Sequence, residues 1–246
     1  VILLDAQRIA FGASGRNGGQ VGKGQRVEQE ELEDMVGLTR AKELFQIGDE
    51  ALDMVRSLCL EPAMGTEFHP GLLYTDHKEE WVKDSFDYAD KLQRDYDYHH
   101  TVGLDRAGVM EMVKTKAYYG GTFDTKAGHI NPLSFAFGLA RKALAAGVRI
   151  FENSRVEQVK RGSPARIKTA LADISAEYVI MACNGYLGKV DRHIAKRVMP
   201  INNFIVTSER LTDQQRDSFL TKDIAVADSK FVVNYFRITE DNRLLF

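Results

Sequence analysis

Residues Gly12 to Gly24 carry six glycines in thirteen positions, shortly after the apolar run Val1-Ile2-Leu3-Leu4-Asp5. Glycine loses more chain entropy on folding than any other residue, so such density belongs where backbone must lie against something or turn through φ > 0. A phosphate or a flat ring would qualify as that something. Flexible linkers pair Gly with Ser, whereas this stretch pairs it with Arg16, Asn17 and Gln20, so it is expected to cradle a ligand.

The apolar run before it reads as a strand buried on both faces of a parallel sheet, closed at its carboxyl end by Asp5. In dinucleotide-binding folds an acidic residue at that place accepts hydrogen bonds from an adenosine ribose, about 20 residues beyond a G-x-G-x-x-G turn. No such turn precedes Asp5. The chain begins without Met inside this strand and stops inside another at Leu244-Leu245-Phe246. It is therefore expected to be a central piece of a longer protein, with the phosphate turn upstream.

Beyond the glycines, Leu32, Met35, Val36, Leu44, Ile47, Leu52 and Val55 recur with helical spacing, with a break expected near Gly37 or Gly48. Leu72-Leu73-Tyr74 ends a hairpin element, and 79–96 reads as an amphipathic helix. Tyr118 to Phe123 reads as a strand. Asn131 or Pro132 opens a helix that closes before Gly147, and short strands follow at 148–151 and 156–160. Glu177 to Gly185 repeats the opening logic, a buried strand running into a small-residue turn at Ala182-Cys183-Asn184-Gly185. After Pro200 the sequence turns β-rich, with strands expected at 201–208, 224–227, 231–238 and 243–246 around a short helix near 212–219. The whole reads as α/β with an α+β companion.

Composition narrows the function. With 246 residues the core should be sizeable, and 33 basic against 35 acidic residues leave a net charge of -2, without the basic field that nucleic-acid binding needs. No apolar run approaches the roughly 20 residues of a membrane span, so a cytoplasmic protein is expected. Cys59 and Cys183 suit reduced thiols better than a disulfide or metal site. His99-His100 could suggest a metal, but adjacent side chains of a strand diverge. The acidic cluster from Glu28 to Asp34 suits a helix N-terminus and a solvated face.

The run Leu3-Leu4-Asp5-Ala6 with Gly12-Ala13-Ser14-Gly15-Arg16-Asn17-Gly18-Gly19-Gln20 resembles the glycine and D-amino acid oxidase family of flavoproteins. Gly128-His129-Ile130-Asn131-Pro132, Ala182-Cys183-Asn184-Gly185-Tyr186-Leu187-Gly188 and Asp241-Asn242-Arg243-Leu244-Leu245-Phe246 extend the resemblance along the chain. The resemblance implies FAD as cofactor and a small amine of the γ-glutamylputrescine kind as substrate; the alternatives are an oxidase or dehydrogenase of the same family acting on glycine, sarcosine or a D-amino acid, or a non-catalytic binding domain on the same fold. The family's enzymes pass a hydride from the carbon bearing nitrogen to the flavin, and water then hydrolyses the imine. It implies a partial FAD-binding domain of Rossmann-like, glutathione-reductase type (1–65 and 126–195), interleaved with a mixed-sheet substrate domain (66–125 and 196–246).

Residue by residue, the resemblance gives Asp5 to the adenosine ribose and Ser14, Gly15 and Arg16 to the pyrophosphate and flavin. Asn17, Gly18, Gly19 and Gln20 would approach the flavin ring through backbone. Val156 would meet adenine through its main chain, and Ala182, Cys183, Asn184 and Gly185 would close over the nucleotide. For the side chains of Val156 and Cys183, plain core packing is the alternative. Tyr74, Tyr235 and Arg237 would stand over the flavin, Arg237 as a two-pronged receptor for a carboxylate. A surface ion pair is the alternative for that arginine. Without the phosphate turn, the chain alone is expected to bind FAD weakly and to be inactive. Its oligomeric state stays open.

Overall fold

The computed structural model describes residues 1–246. Strand β1 (Ile2–Leu4) leads through a single 3-10 turn at Ala13–Gly15 to the short strand β2 (Gln20–Val21). Helices α1 (Gln29–Val36) and α2 (Leu38–Cys59) meet at Gly37, whose φ of +82° no helical residue can hold. Gly48 lies inside α2 without breaking it. Strand β3 (His69–Asp76) is followed by α3 (Val82–Tyr96), β4 (Thr101–Asp105) and α4 (Arg106–Met112). The Asp105 carboxylate caps α4 by accepting from Gly108 N at 2.8 Å.

Strand β5 (Gly120–His129) runs past the expected end at Phe123 and delivers the chain to α5 (Pro132–Ala145). Asn131 Oδ1 accepts from Ser134 N there, with Pro132 at the first helical position. Then come β6 (Arg149–Phe151), β7 (Val156–Lys160), β8 (Ala165–Thr169), β9 (Asp173–Ala176) and α6 (Arg192–Ala195). Last are β10 (Thr207–Arg210), α7 (Asp213–Asp217), β11 (Ala225–Asp228), β12 (Tyr235–Ile238) and β13 (Arg243–Leu245). Thr212 and Gln215 start α7 with a reciprocal capping box.

Two units interleave along this order. The first holds 1–16 and 136–204, the second 17–135 and 205–246. In the first, β1 pairs parallel with β6, and β7-β8-β9 form an antiparallel sheet. In the second, eight strands make one mixed sheet in the order β10-β13-β12-β11-β3-β5-β2, with β4 on the flank of β5. Here β11 and β3 run parallel. The fold is thus α/β plus α+β.

Alternation along the strands gives this sheet two faces. Leu73, Val226 and Ile238 join Val109, Met112 and Val113 in the main core, while Leu72, Ala127 and Ala225 pack together separately. Gln20 sits on the β2 edge opposite His129, yet its Nε2 donates to the Val226 carbonyl on β11 at 3.0 Å. The sheet therefore curls back on itself.

Three expected strands differ. Residues 178–182 form no strand, and Tyr178 and Ile180 are 87% and 90% exposed. The β1–β6 pair takes in no third strand, and this segment stays outside it. Nor is β1 buried: Ile2 and Leu3 are partly open to solvent. Residues 231–234 stay outside β12 because the buried Asp228 carboxylate accepts from Lys230 N, Asn234 N and Asn234 Nδ2, closing a loop. The strand expected at 201–208 is confined to β10, with Phe204 exposed.

Candidate functional site

In the first unit Asp5 stands just past the carboxyl end of β1. Asp5 N donates to Phe151 O at 3.0 Å, Ser154 N to Asp5 O at 2.7 Å, and Asn153 N to Gln7 O at 2.8 Å. These bonds lace the Asp5 loop to the β6–β7 connection and tie Asp5 to Ser154, shortly before Val156. The Asp5 carboxylate accepts from Gln7 N at 2.8 Å, which fixes its rotamer at the strand end. Val156 opens β7, half-buried and paired with Thr169.

Ser14 and Gly15 lie in the 3-10 turn, and the Arg16 guanidinium stacks 4.3 Å from the centre of the Phe11 ring. A Cβ at Gly12 would stand 3.2 Å from the Tyr186 ring. This loop therefore meets the turn formed by Cys183 to Tyr186, where Asn184 adopts φ +46° and Tyr186 N donates to Cys183 O. Ala182 and Asn184 are exposed, Cys183 and Gly185 half-buried. Both cysteines are free, and burial pushes the Cys59 thiol pKa up.

In the second unit the glycine strip lies across the sheet. Tyr74, Ala227 and Tyr235 are cross-strand neighbours on β3, β11 and β12. They therefore share one face, the one opposite Leu73 and Val226, with the tyrosines about 10 Å apart. A Cβ at Gly18 would stand 2.9 Å from the Tyr235 ring, and one at Gly22 would stand 3.0 Å from the Tyr74 hydroxyl. With Gln20 bonded to Val226 between them, residues 18, 20 and 22 step across β12, β11 and β3 in turn.

Gly19 adopts φ +73°, and a Cβ there would lie 2.1 Å from Ile130 O. Asn17 Oδ1 accepts from Gly19 N at 2.9 Å, shaping the turn. Tyr74 is 44% exposed, and burial together with the Asp124 charge raises its pKa to about 12. Arg237 is 5% exposed and donates to three main-chain carbonyls, Gly18 at 2.7 Å, Ile238 at 3.1 Å and Ile130 at 3.2 Å. It forms no surface ion pair.

Two polar clusters of this unit join residues with no shared sequence motif. Lys23 Nζ contacts Asp124 at 2.7 Å and sits over the Tyr98 ring at 3.2 Å. Asp124 also accepts from Tyr98, Thr101 and the amides of Lys126 and Ala127. Secondly, His69 and His129 stack 4.9 Å apart and share the two oxygens of Asp223, at 2.7 and 3.1 Å. They line a cavity of about 330 Å³ together with Arg237. Burial lowers the His129 pKa despite Asp223, and its Nδ1 is buried without a partner. His99 and His100 precede β4 and diverge, one to Asp97 and the other against Tyr98 and Thr125.

The chain is matched over residues 1–246 by the family of FAD-dependent oxidoreductases described as DAO. It is 38% identical to a probable oxidoreductase OrdL of Rhizobium meliloti and 33% identical to the gamma-glutamylputrescine oxidoreductase of Escherichia coli. All of this chain is covered in both, but only 57% and 58% of those proteins. Among solved structures, glycine oxidase from Geobacillus kaustophilus matches with a TM-score of 0.69 at 16% identity, over 100% of this chain and 63% of that one. The amino acid oxidase NikD matches at 0.68 and 14%, over 100% and 62%. These two likenesses concern the fold.

Proposed function

We propose, since the chain belongs to the FAD-dependent oxidoreductase family, that it supplies much of the cofactor cradle and the substrate face of an amine oxidoreductase. The observation that carries this reading is the glycine strip laid across the sheet face that bears Tyr74 and Tyr235. FAD fits the residues present: Gly18 and Gly19 present backbone without side chains beside Tyr235 and Ile130, and Asp5 sets a carboxylate at the end of a parallel strand.

In this reading Asp5 accepts hydrogen bonds from the adenosine ribose, and the Val156 main chain meets adenine. Ser14, Gly15 and Arg16 line the pyrophosphate side, with Ala182, Cys183, Asn184 and Gly185 closing over the nucleotide. Asn17 to Gln20 face the flavin ring. Bound FAD supplies the hydride acceptor for the carbon that carries the amine. Tyr74 and Tyr235 orient that carbon by ring contact, a role that demands no nucleophile.

For the substrate we propose an amine of the γ-glutamylputrescine type, supported by the 33% identity to the gamma-glutamylputrescine oxidoreductase. The test is FAD titration of the full-length protein, followed by peroxide release across γ-glutamylputrescine, putrescine, glycine, sarcosine and D-amino acids. Turnover of γ-glutamylputrescine alone is the expected result. Preference for glycine, sarcosine or a D-amino acid would replace the substrate, and failure to bind FAD would end the reading.

A further inference from the structure

We infer that Arg237 is a positioning residue that locks the Gly18-Gly19 strip in place, rather than a receptor for a substrate carboxylate. The inference rests on the reading above for what the strip faces, but the lock itself is geometric.

Arg237 Nε donates to Gly18 O, 219 positions away in sequence, and Nη2 donates to Ile130 O. Between those two carbonyls lies Gly19, whose own carbonyl accepts from Ile130 N at 2.9 Å. Gly18 is thus held at its C=O, Gly19 at its C=O, and Ile130 at both its N–H and its C=O. Gly19, at φ +73°, is the one residue of this knot with a positive φ, and Ile130 O occupies the volume a side chain would take. The third donor, Nη1, returns to Ile238 O on the arginine's own strand and fixes the guanidinium plane.

A planar guanidinium can address several carbonyls at set angles, which the point charge of a lysine cannot. Burial lowers the Arg237 pKa, opposed by the more distant charges of Glu240 and Asp223. None of its three bonds is to a carboxylate, so charge neutralisation is not what holds it. A buried cation without a bonded counter-ion is costly. What it gains here is a fixed backbone, in a strip that a ring-binding surface needs rigid.

The test is residue-resolved amide exchange in the full-length protein freed of FAD, comparing wild type with R237K and R237Q. R237K keeps the charge and loses the fork, while R237Q keeps two donors and loses the charge. Both are expected to speed exchange of the Gly19 and Ile130 amides about tenfold, with amides of α3 unchanged. Wild-type protection in R237K, or equal acceleration in α3, would overturn the lock. If neither variant folds, the wild type decides: fast exchange at Gly19 and Ile130 is incompatible with it. With FAD restored, R237K should also alter the shape of the flavin visible band. A native band over an opened strip would refute the positioning role, while failure of the wild type to take up FAD would refute only the functional reading.

Discussion

Gly19 and Ile130 are joined so closely that the Gly19 carbonyl accepts from Ile130 N at 2.9 Å while the Ile130 carbonyl fills the place of a Gly19 side chain. Gly19→Ala must both strain φ +73° and displace backbone, so a loss of about 2–3 kcal/mol is expected. At Gly18 the obstruction is the edge of the Tyr235 ring, which can swing aside, so Gly18→Ala should cost about 1 kcal/mol or less. Urea denaturation of the two variants checks the ranking, and equal losses would contradict it.

Asp124 is the hub of a different set of bonds. Removing it in Asp124→Ala leaves Lys23 buried without its partner, and about 3–5 kcal/mol should be lost. Burial alone would push the Asp124 pKa up, but the Lys23 charge and the amides of Ala127 and Lys126 outweigh it and hold it below the ordinary value of 3.8. Its folded pKa being depressed, the stability it contributes is present above about pH 4 and is lost as pH falls through the folded value. Acid titration of wild type and variant should therefore differ in slope below about pH 4.

Much of this arrangement was legible in the sequence because it depends on local chemistry. Gly37, Pro132 and Gly147 mark helix ends where φ or a missing N–H decides the matter. The glycine run pointed to close backbone approach for the same reason, and Gly19 meets Ile130 O in that way. The β8–β9 hairpin, the β4–α4 segment and the full length of β5 carry weaker local patterns. The Lys23–Asp124 and His69–Asp223–His129 groups join residues roughly 60 to 150 positions apart, a spacing no local signal encodes. Arg237 was legible as a strand cation, but its burial depends on how far the sheet curls. The 178–182 segment shows the converse error: its apolar run has strand chemistry, yet a strand needs a neighbour.

His129 gives the chain an acid sensitivity in a milder range. Burial is the first cause of its lowered pKa, with Arg237 and His69 pushing the same way and Asp223 opposing. Because the unfolded chain binds the proton more readily, stability rises with pH through the window below the ordinary value of 6.5 and is eroded on acidification. The urea midpoint of wild type should fall between pH 7 and about 5.5, and His129→Gln should flatten that dependence. An unchanged slope in the variant would assign the sensitivity elsewhere.

Tyr74 and Tyr235 allow the proposed substrate face to be tested directly in the full-length, FAD-bound protein. Their rings flank Ala227 in one cross-strand row, so what each offers is a flat apolar contact, with any cationic end of the substrate favoured over the ring. Tyr74→Ala and Tyr235→Ala should each raise KM for the amine about tenfold with a smaller change in kcat, as expected for lost binding that is shared by ground and transition states. Tyr74 stays a neutral phenol up to about pH 12 through burial and the Asp124 charge, so it cannot serve as a base at neutral pH. Tyr74→Phe should therefore keep near wild-type kinetics and an unaltered pH profile. A kcat collapse in Tyr74→Phe would show that the hydroxyl, and not the ring, is what the reaction uses.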